Sequence, residues 1–225
     1  MSYTIIQAIT NQYDQVYDCN DYTADQRLLF TDVAVPVKNW EQRIITTTNE
    51  CPWEDIFRIR WNPFDYTDTE YVIWVDGSIR ITGSLIKYIT KMQQGNYSFA
   101  TLSHPHRTTI WDEYIEWIRM RHYPKEKAFK WMAYMEHNGW NPTKYGLYQV
   151  NVCVFKNTPI IKDFCATIWK LLHIMDTKYA ERLDQTIVSF VLNTKYTDSI
   201  SIYKLTDAIY TKDTSLLLHG THPAR

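Results

Sequence analysis

The sequence predicts an α/β fold of the Rossmann type, with a mostly parallel, mixed central sheet flanked by helices. Three observations carry that expectation. β-rich segments alternate with segments of helical period. Tyr71-Val72-Ile73-Trp74-Val75 is a continuous apolar run, as expected of a central strand covered on both faces. Polar turns follow the strands directly, at Tyr13-Asp14, Thr31-Asp32 and Asp76-Gly77-Ser78. In parallel sheets, ligands gather at those carboxyl ends.

The elements follow in order. Tyr3 to Ile9 is a first strand, ending at Thr10-Asn11-Gln12-Tyr13-Asp14, and Arg27-Leu28-Leu29-Phe30 is a second. A third lies near Arg43-Ile44-Ile45. Arg58-Ile59-Arg60 alternates charged and apolar residues, which places both arginines on one face of a strand. After the run at Tyr71–Val75, strands are expected at Tyr97–Leu102 and Tyr148–Phe155. Trp111, Tyr114, Ile115 and Ile118 recur at helical spacing, and Ile161, Phe164, Cys165, Ile168, Leu171, Leu172 and Met175 form a longer stripe. Leu183, Ile187, Phe190 and Val191 define a last helix, before short strands near Ser201–Leu205 and Ser215–Leu218.

A chain of 225 residues without a Gly/Ser-rich or Pro-rich linker is expected to form one domain over residues 1–225. Lys and Arg total 24 against 25 Asp and Glu, a net charge of −1, which offers no general attraction to nucleic acid or to an anionic membrane. The basic cluster Arg119, Arg121, His122, Lys125, Lys127 and Lys130 is interrupted by Glu126 and reads as a solvated helix face. The four cysteines lack CxxC spacing, and Cys153 and Cys165 read as small core residues. No apolar run approaches the ~18 residues of a transmembrane helix, and no signal peptide is evident. The expectation is a soluble cytoplasmic protein, in the host cell if the source is viral. Seventeen Tyr, nine Trp and eight Phe suit both sugar stacking and core filling, and composition does not separate the two.

Asp76 is the sharpest chemical feature. An apolar strand ending in Asp-Gly-Ser sets a carboxylate just outside the sheet, and Gly77 permits close backbone approach. Oxygen ligands of this kind suit Mn²⁺ or Mg²⁺. On the residues alone, Asp76 serves equally well as the cap of a strand-end turn. Asp112 and Glu113 open a helix and complement its dipole. Asp184 likewise falls where aspartate is favoured, at a helix start.

Five segments, in order, resemble a known family: Ala8-Ile9-Thr10-Asn11-Gln12-Tyr13-Asp14, Phe30-Thr31-Asp32, Ile73-Trp74-Val75-Asp76-Gly77-Ser78-Ile79, Phe99-Ala100-Thr101-Leu102-Ser103-His104-Pro105-His106-Arg107, and Asn151-Val152 with Arg182-Leu183-Asp184-Gln185. They are similar to the bacterial and plant hexosyltransferase-like domain, once catalogued as of unknown function, within the GT-A glycosyltransferases. The similarity spans about residues 3 to 193. Transferase domains of large viruses that glycosylate their own capsids are a looser comparison.

The resemblance implies a GT-A-like domain that moves a hexose or deoxyhexose from a nucleoside diphosphate, UDP first, to a hydroxyl of a glycan or glycoprotein. It implies Thr10, Tyr13 and Asp32 at the base and ribose, and Asp76, Gly77 and Ser78 at the diphosphate and its metal. Arg58, Arg60, His104 and Arg107 are expected near phosphate or donor sugar. The resemblance implies Asp184 beside the transferring sugar, as acid/base or donor-orienting residue, Asn151 as a second catalytic position touching donor sugar or acceptor, and Gln185 as a donor-binding residue. Ser78 replaces the second carboxylate of the fuller motif, so His219 is expected to complete a ligand set with Asp76 and Ser78. Two rival classes remain: a nucleotide-sugar or carbohydrate-binding module without turnover, which the weakened Asp-Gly-Ser motif favours, and a phosphohydrolase, for which no Asp-x-Asp pair is present.

Overall fold

The computed structural model describes residues 1–11, 15–47, 52–120, 123–141, 146–174, 184–205 and 217–219. Tyr13, Arg121, His122, Met175, Arg182 and Leu183 lie outside them.

The strands are β1 (Tyr3–Ile9), β2 (Gln26–Thr31), β3 (Glu41–Ile44), β4 (Tyr71–Val75), β5 (Ile79–Ile81), β6 (Phe99–Ser103), β7 (Tyr148–Lys156), β8 (Ile202–Lys204) and β9 (Leu217–His219). The helices are α1 (Pro52–Trp61), α2 (Ile86–Gln94), α3 (Ile110–Arg119), α4 (Lys125–His137), α5 (Pro159–Ile174) and α6 (Asp184–Thr194). Seven strands form one sheet in the order β3-β2-β1-β4-β7-β6-β8. β3, β2, β1 and β4 are parallel neighbours, and β7 opposes both β4 and β6. β8 runs parallel to β6. The sheet is therefore mostly parallel with one reversed strand, as the sequence predicts.

Alternation along β4 divides the core between the two faces of this sheet. Val72 and Trp74 join Ile6, Leu28, Phe99 and Phe155 in a cluster packed with residues of α1 and α3–α6. Tyr71, Ile73 and Val75 join Ile5, Val152 and Val154 beneath α2, through Tyr88, Ile89 and Met92. Helical cover on both faces explains why β1 and β4 are apolar or buried at every position rather than at every second one.

One expectation is corrected. Arg58-Ile59-Arg60 lies in helix α1, not in a strand. Two residues along a helix turn by about 200°, so the arginines diverge. The Arg58 side chain is half exposed and pairs with Asp55 at 3.0 Å, whereas Arg60 is buried with Ile56, Phe57, Ile59 and Trp61. α2 has no counterpart among the expected elements, whereas Lys125, Lys127 and Lys130 do lie on a helix, α4. Among the described residues, no helix is long and apolar enough to cross a membrane.

The turn after β4 is held from below. Gln7, buried within β1, donates from Nε2 to the carbonyls of Asp76 (2.9 Å) and Ile79 (3.0 Å). The Asp76 N–H donates to the Asn151 carbonyl at 2.8 Å. Gly77 lies so close to β1 that an added Cβ would stand 2.4 Å from Ile9 Cγ1 and 3.2 Å from the Ala8 carbonyl oxygen. Gly77→Ala should therefore destabilise the protein by about 1–3 kcal/mol, the usual cost of overpacking, read as a lower urea midpoint. Adding Ile9→Ala should recover part of the loss relative to Ile9→Ala alone; additive effects would show that the contact at Ile9 is not the cause.

Candidate active site

The carboxyl end of β4 and the first turn of α6 are joined by one guanidinium. Arg60, near the end of α1, donates from Nη2 to Asp76 Oδ1 and from Nη1 to Asp184 Oδ2. The Arg60 and Asp184 side chains are only 7% and 5% exposed, against 28% for Asp76, which leaves Asp76 as the edge of the group that meets solvent. Trp74, on β4, donates from Nε1 to Asp76 Oδ1 at 2.7 Å and lays its ring 4.7 Å from the guanidinium carbon. Phe57 lies on the same cation at 5.7 Å. Strand, indole and guanidinium thus fix the Asp76 carboxylate before any ligand arrives.

Burial is the largest influence on these charges. It pushes the Asp184 carboxyl above the usual carboxylate range, against the opposing pull of Arg60. Burial alone would lower the Arg60 pKa, but Asp76 and Asp184 outweigh it and raise the guanidinium further.

A second buried centre adjoins the first through Gln185. Glu113, on α3, is 1% exposed. It accepts from Trp117 Nε1 at 2.9 Å and from Gln185 Nε2 on one oxygen, and from Arg107 Nη1 on the other. His104 Nε2 lies 3.9 Å from Glu113, while His104 Nδ1 accepts the backbone N–H groups of His106 (3.2 Å) and Arg107 (2.9 Å). Those two bonds place the proton of a neutral ring on Nε2. Burial, then the charge of Arg107, pulls His104 down to about 4, so the ring is neutral at physiological pH.

The candidate residues sort by position. Asp76, Arg60, Asp184, Gln185, His104 and Arg107 belong to one connected polar group. Asn151, on β7 beside β4, is 9% exposed, and its Oδ1 has no hydrogen-bond partner among the described residues. Asp32, just beyond β2, accepts the Asn11 N–H at 2.8 Å through Oδ2 and leaves a buried Oδ1 without a partner among the described residues. Thr10 is buried immediately past β1. Arg58 points elsewhere, and Tyr13 is outside the described residues. Gly77 and Ser78 form the turn, and pairing of β5 with β9 sets the His219 backbone opposite Ile79, one residue beyond Ser78.

Trp74, Gln7 and Glu113 are contributors that the sequence did not single out as site residues. Asp112 makes the expected helix start, in a capping box with Thr109. Glu113, its neighbour, is instead the anion of the second centre.

Among the described residues, no group of three His, Cys, Asp or Glu side chains is arranged to hold a metal. Asp76, Ser78 and His219 would offer one anion and two neutral donors. Such a set fits Mg²⁺ or Mn²⁺ only where substrate phosphates supply further ligands, a common arrangement for Mg²⁺.

Removing Arg60 strands two carboxylates. Arg60→Met should cost about 3–5 kcal/mol at pH 7, the usual penalty for breaking a buried ion pair. Without the guanidinium, the Asp184 pKa rises further above its unfolded value. The folded state then binds the extra proton, and stability is lost as pH rises through that pKa. Urea denaturation should accordingly show the deficit against wild type shrinking from pH 7 to pH 5; a deficit constant with pH would mean that stranded carboxylates are not its source.

No protein-family model matches the chain, and no curated protein matches it in sequence. Among solved structures, the fold is similar to the apo form of mouse xyloside xylosyltransferase 1, with a TM-score of 0.53, 7% identity and 100% of each chain covered. At that identity the likeness is one of architecture: this chain has the Rossmann-like α/β fold of that glycosyltransferase.

Proposed function

We propose that this protein is a glycosyltransferase of the hexosyltransferase-like kind, moving a hexose or deoxyhexose from a UDP-sugar to a hydroxyl of a glycan or glycoprotein. The observation that carries the reading is the Asp76–Arg60–Asp184 bridge at the carboxyl end of the sheet, together with two buried acceptors, Asp32 Oδ1 just beyond β2 and Asn151 Oδ1 on β7, that lack a donor among the described residues. A buried unpaired acceptor costs about 1–3 kcal/mol. Donor groups of a nucleoside at Asp32, and a sugar hydroxyl at Asn151, would relieve that cost. The full-length likeness to a xylosyltransferase fold supports the same class.

In this reading Asp32 and Thr10 lie at the nucleoside end, with Tyr13 in the loop beyond β1. Asp76, Gly77 and Ser78 form the edge that faces the diphosphate, with His219 the further ligand brought near by β9. Bound Mn²⁺ or Mg²⁺ would neutralise the departing diphosphate as a Lewis acid. Arg60 and Asp184 hold each other, and that pairing favours an orienting role for Asp184 toward the donor sugar over free proton exchange. Asn151 accepts from a sugar hydroxyl, and Gln185 and Arg107 close the sugar end.

A non-catalytic nucleotide-sugar-binding module is the second reading. Ser78 in place of a second carboxylate is the observation that favours it.

Thermal-shift titration with UDP-sugars and Mn²⁺, Mg²⁺ or chelator tests the proposal. Stabilisation is expected with UDP-sugar and metal together and not with either alone. Ligand at 100 times Kd adds about 2.7 kcal/mol. Asp76→Ala should abolish the metal-dependent part while the variant still unfolds cooperatively. Metal-dependent donor binding retained by Asp76→Ala would remove Asp76 from the metal site. Donor hydrolysis by wild type without acceptor separates transferase from binder.

A further inference from the structure

Glu113 is the most deeply buried of the three carboxylates of the site, at 1% exposure against 3% for Asp184. Every contact it makes is inward: Trp117 and Gln185 on Oε1, Arg107 and the more distant His104 on Oε2. A carboxylate this deep is expensive to keep charged, and burial raises its pKa against the pull of Arg107 and the hydrogen bonds from Trp117, Arg107 and Gln185. A lone structural Glu at this place would be readily replaced by an apolar side chain. What distinguishes it is that one of its three donors, Gln185, is the residue next to Asp184 in the first turn of α6.

The chemistry of the Gln185 contact is directional. An ionised carboxylate only accepts hydrogen bonds, so Gln185 turns its NH₂ toward Glu113. The amide plane then carries the Gln185 carbonyl oxygen away from Glu113, where it is available as an acceptor. Without a fixed anion behind it, the amide could turn over and present a donor instead, at little cost. On the same carboxylate, Arg107 is drawn back into the wall of the site, with its side chain 26% exposed.

We propose that Glu113 is a positioning residue of the sugar end of the site: acting through Gln185, and with Arg107 held on its other oxygen, it makes Gln185 present a hydrogen-bond acceptor to a hydroxyl of the bound donor sugar. The inference rests on the transferase reading above. It sets a specificity rule, because a sugar with a hydroxyl at that position is retained and its deoxy analogue loses one hydrogen bond.

Calorimetric titration of UDP and of UDP-glucose, UDP-galactose and UDP-xylose, each with Mn²⁺, tests it. Glu113→Gln should leave UDP affinity within about twofold and weaken the best UDP-sugar about tenfold, the worth of one hydrogen bond. Gln185→Leu should produce the same loss, and the double variant should lose no more than either single one. If Glu113→Gln does not fold, the Gln185→Leu titration and the wild-type spectrum decide. In a ¹⁵N correlation spectrum, the Gln185 amide, assigned by its disappearance in Gln185→Leu, should be shifted from the solvent-exposed position and protected from exchange. Equal weakening of UDP and UDP-sugar would make Glu113 merely structural and overturn the proposal, as would an exchange-labile Gln185 amide or unchanged UDP-sugar binding. Wild type that binds none of these nucleotides overturns the transferase reading, and the role of Glu113 with it; wild type that binds them while Glu113→Gln is unaffected overturns the role of Glu113 alone.

Discussion

A single buried cation, Arg60, joins the two elements between which the candidate site lies. β4 comes from the middle of the sheet and α6 from near the end of the chain, and Arg60 reaches both from α1, bonding Asp76 and Asp184 together. Removing three charges from water is costly, and such groups persist where geometry is close and the remaining valences are filled. Trp74 fills one of those valences on Asp76, and the faces of Trp74 and Phe57 flank the guanidinium. Apolar residues of the same volume would give equal or greater stability. The arrangement is therefore better explained by the need to hold two carboxylates at fixed positions than by stability.

The first turn of α6 is held from two sides. Asp184 is held from α1 by Arg60, and Gln185 is held from α3 by Glu113. Ser189, one turn further on, accepts from the Tyr148 N–H at 2.9 Å and so fastens α6 to β7, the strand that carries Asn151. The positive end of the α6 dipole adds to the stabilisation of Asp184 there. Two elements far apart in sequence, α1 and α3, thus converge on two consecutive side chains, and a third, β7, fastens the next turn. Pre-organisation of this kind keeps a binding group from losing affinity to its own disorder.

How much of this was legible depends on how a residue earns its burial. β4 was legible because cover on both faces leaves a continuous apolar run, and Asp76 because it ends that run. Asp184 was legible because aspartate at a helix start is a strong local signal, although the same signal allows a purely local explanation. α1 was misread because Phe57-Arg58-Ile59-Arg60 alternates like a strand. Its helical period is hidden by Arg60, a charged residue that belongs to the buried face with Ile56, Phe57 and Ile59. Glu113 was read as a dipole partner for the same reason in reverse. Two acidic residues in one first turn look alike in sequence, yet Asp112 caps the helix at the surface and Glu113 faces inward. Burial of a charge is decided by partners distant in sequence, here Arg107, Trp117 and Gln185, and a local pattern does not carry them.

The charges at the site also bear on the proposed chemistry. Asp76, Asp184 and Glu113 are three anions, and Arg60 and Arg107 are two cations, so these five groups sum to −1. Both cations are already engaged by carboxylates. A diphosphate approaching the Asp76–Ser78 turn would therefore meet an excess of negative charge in a partly dry setting, where repulsion is stronger than in bulk water. In the proposed reaction a divalent cation would offset that excess, and Asp76, the more exposed of the two carboxylates on Arg60, would be the one to meet it. A serine at the second acidic position is then less of a defect than the sequence suggests. A second carboxylate at residue 78 would add an anion to a site already short of free positive charge, whereas neutral ligands, as proposed for Ser78 and His219, would complete a coordination shell without deepening that deficit.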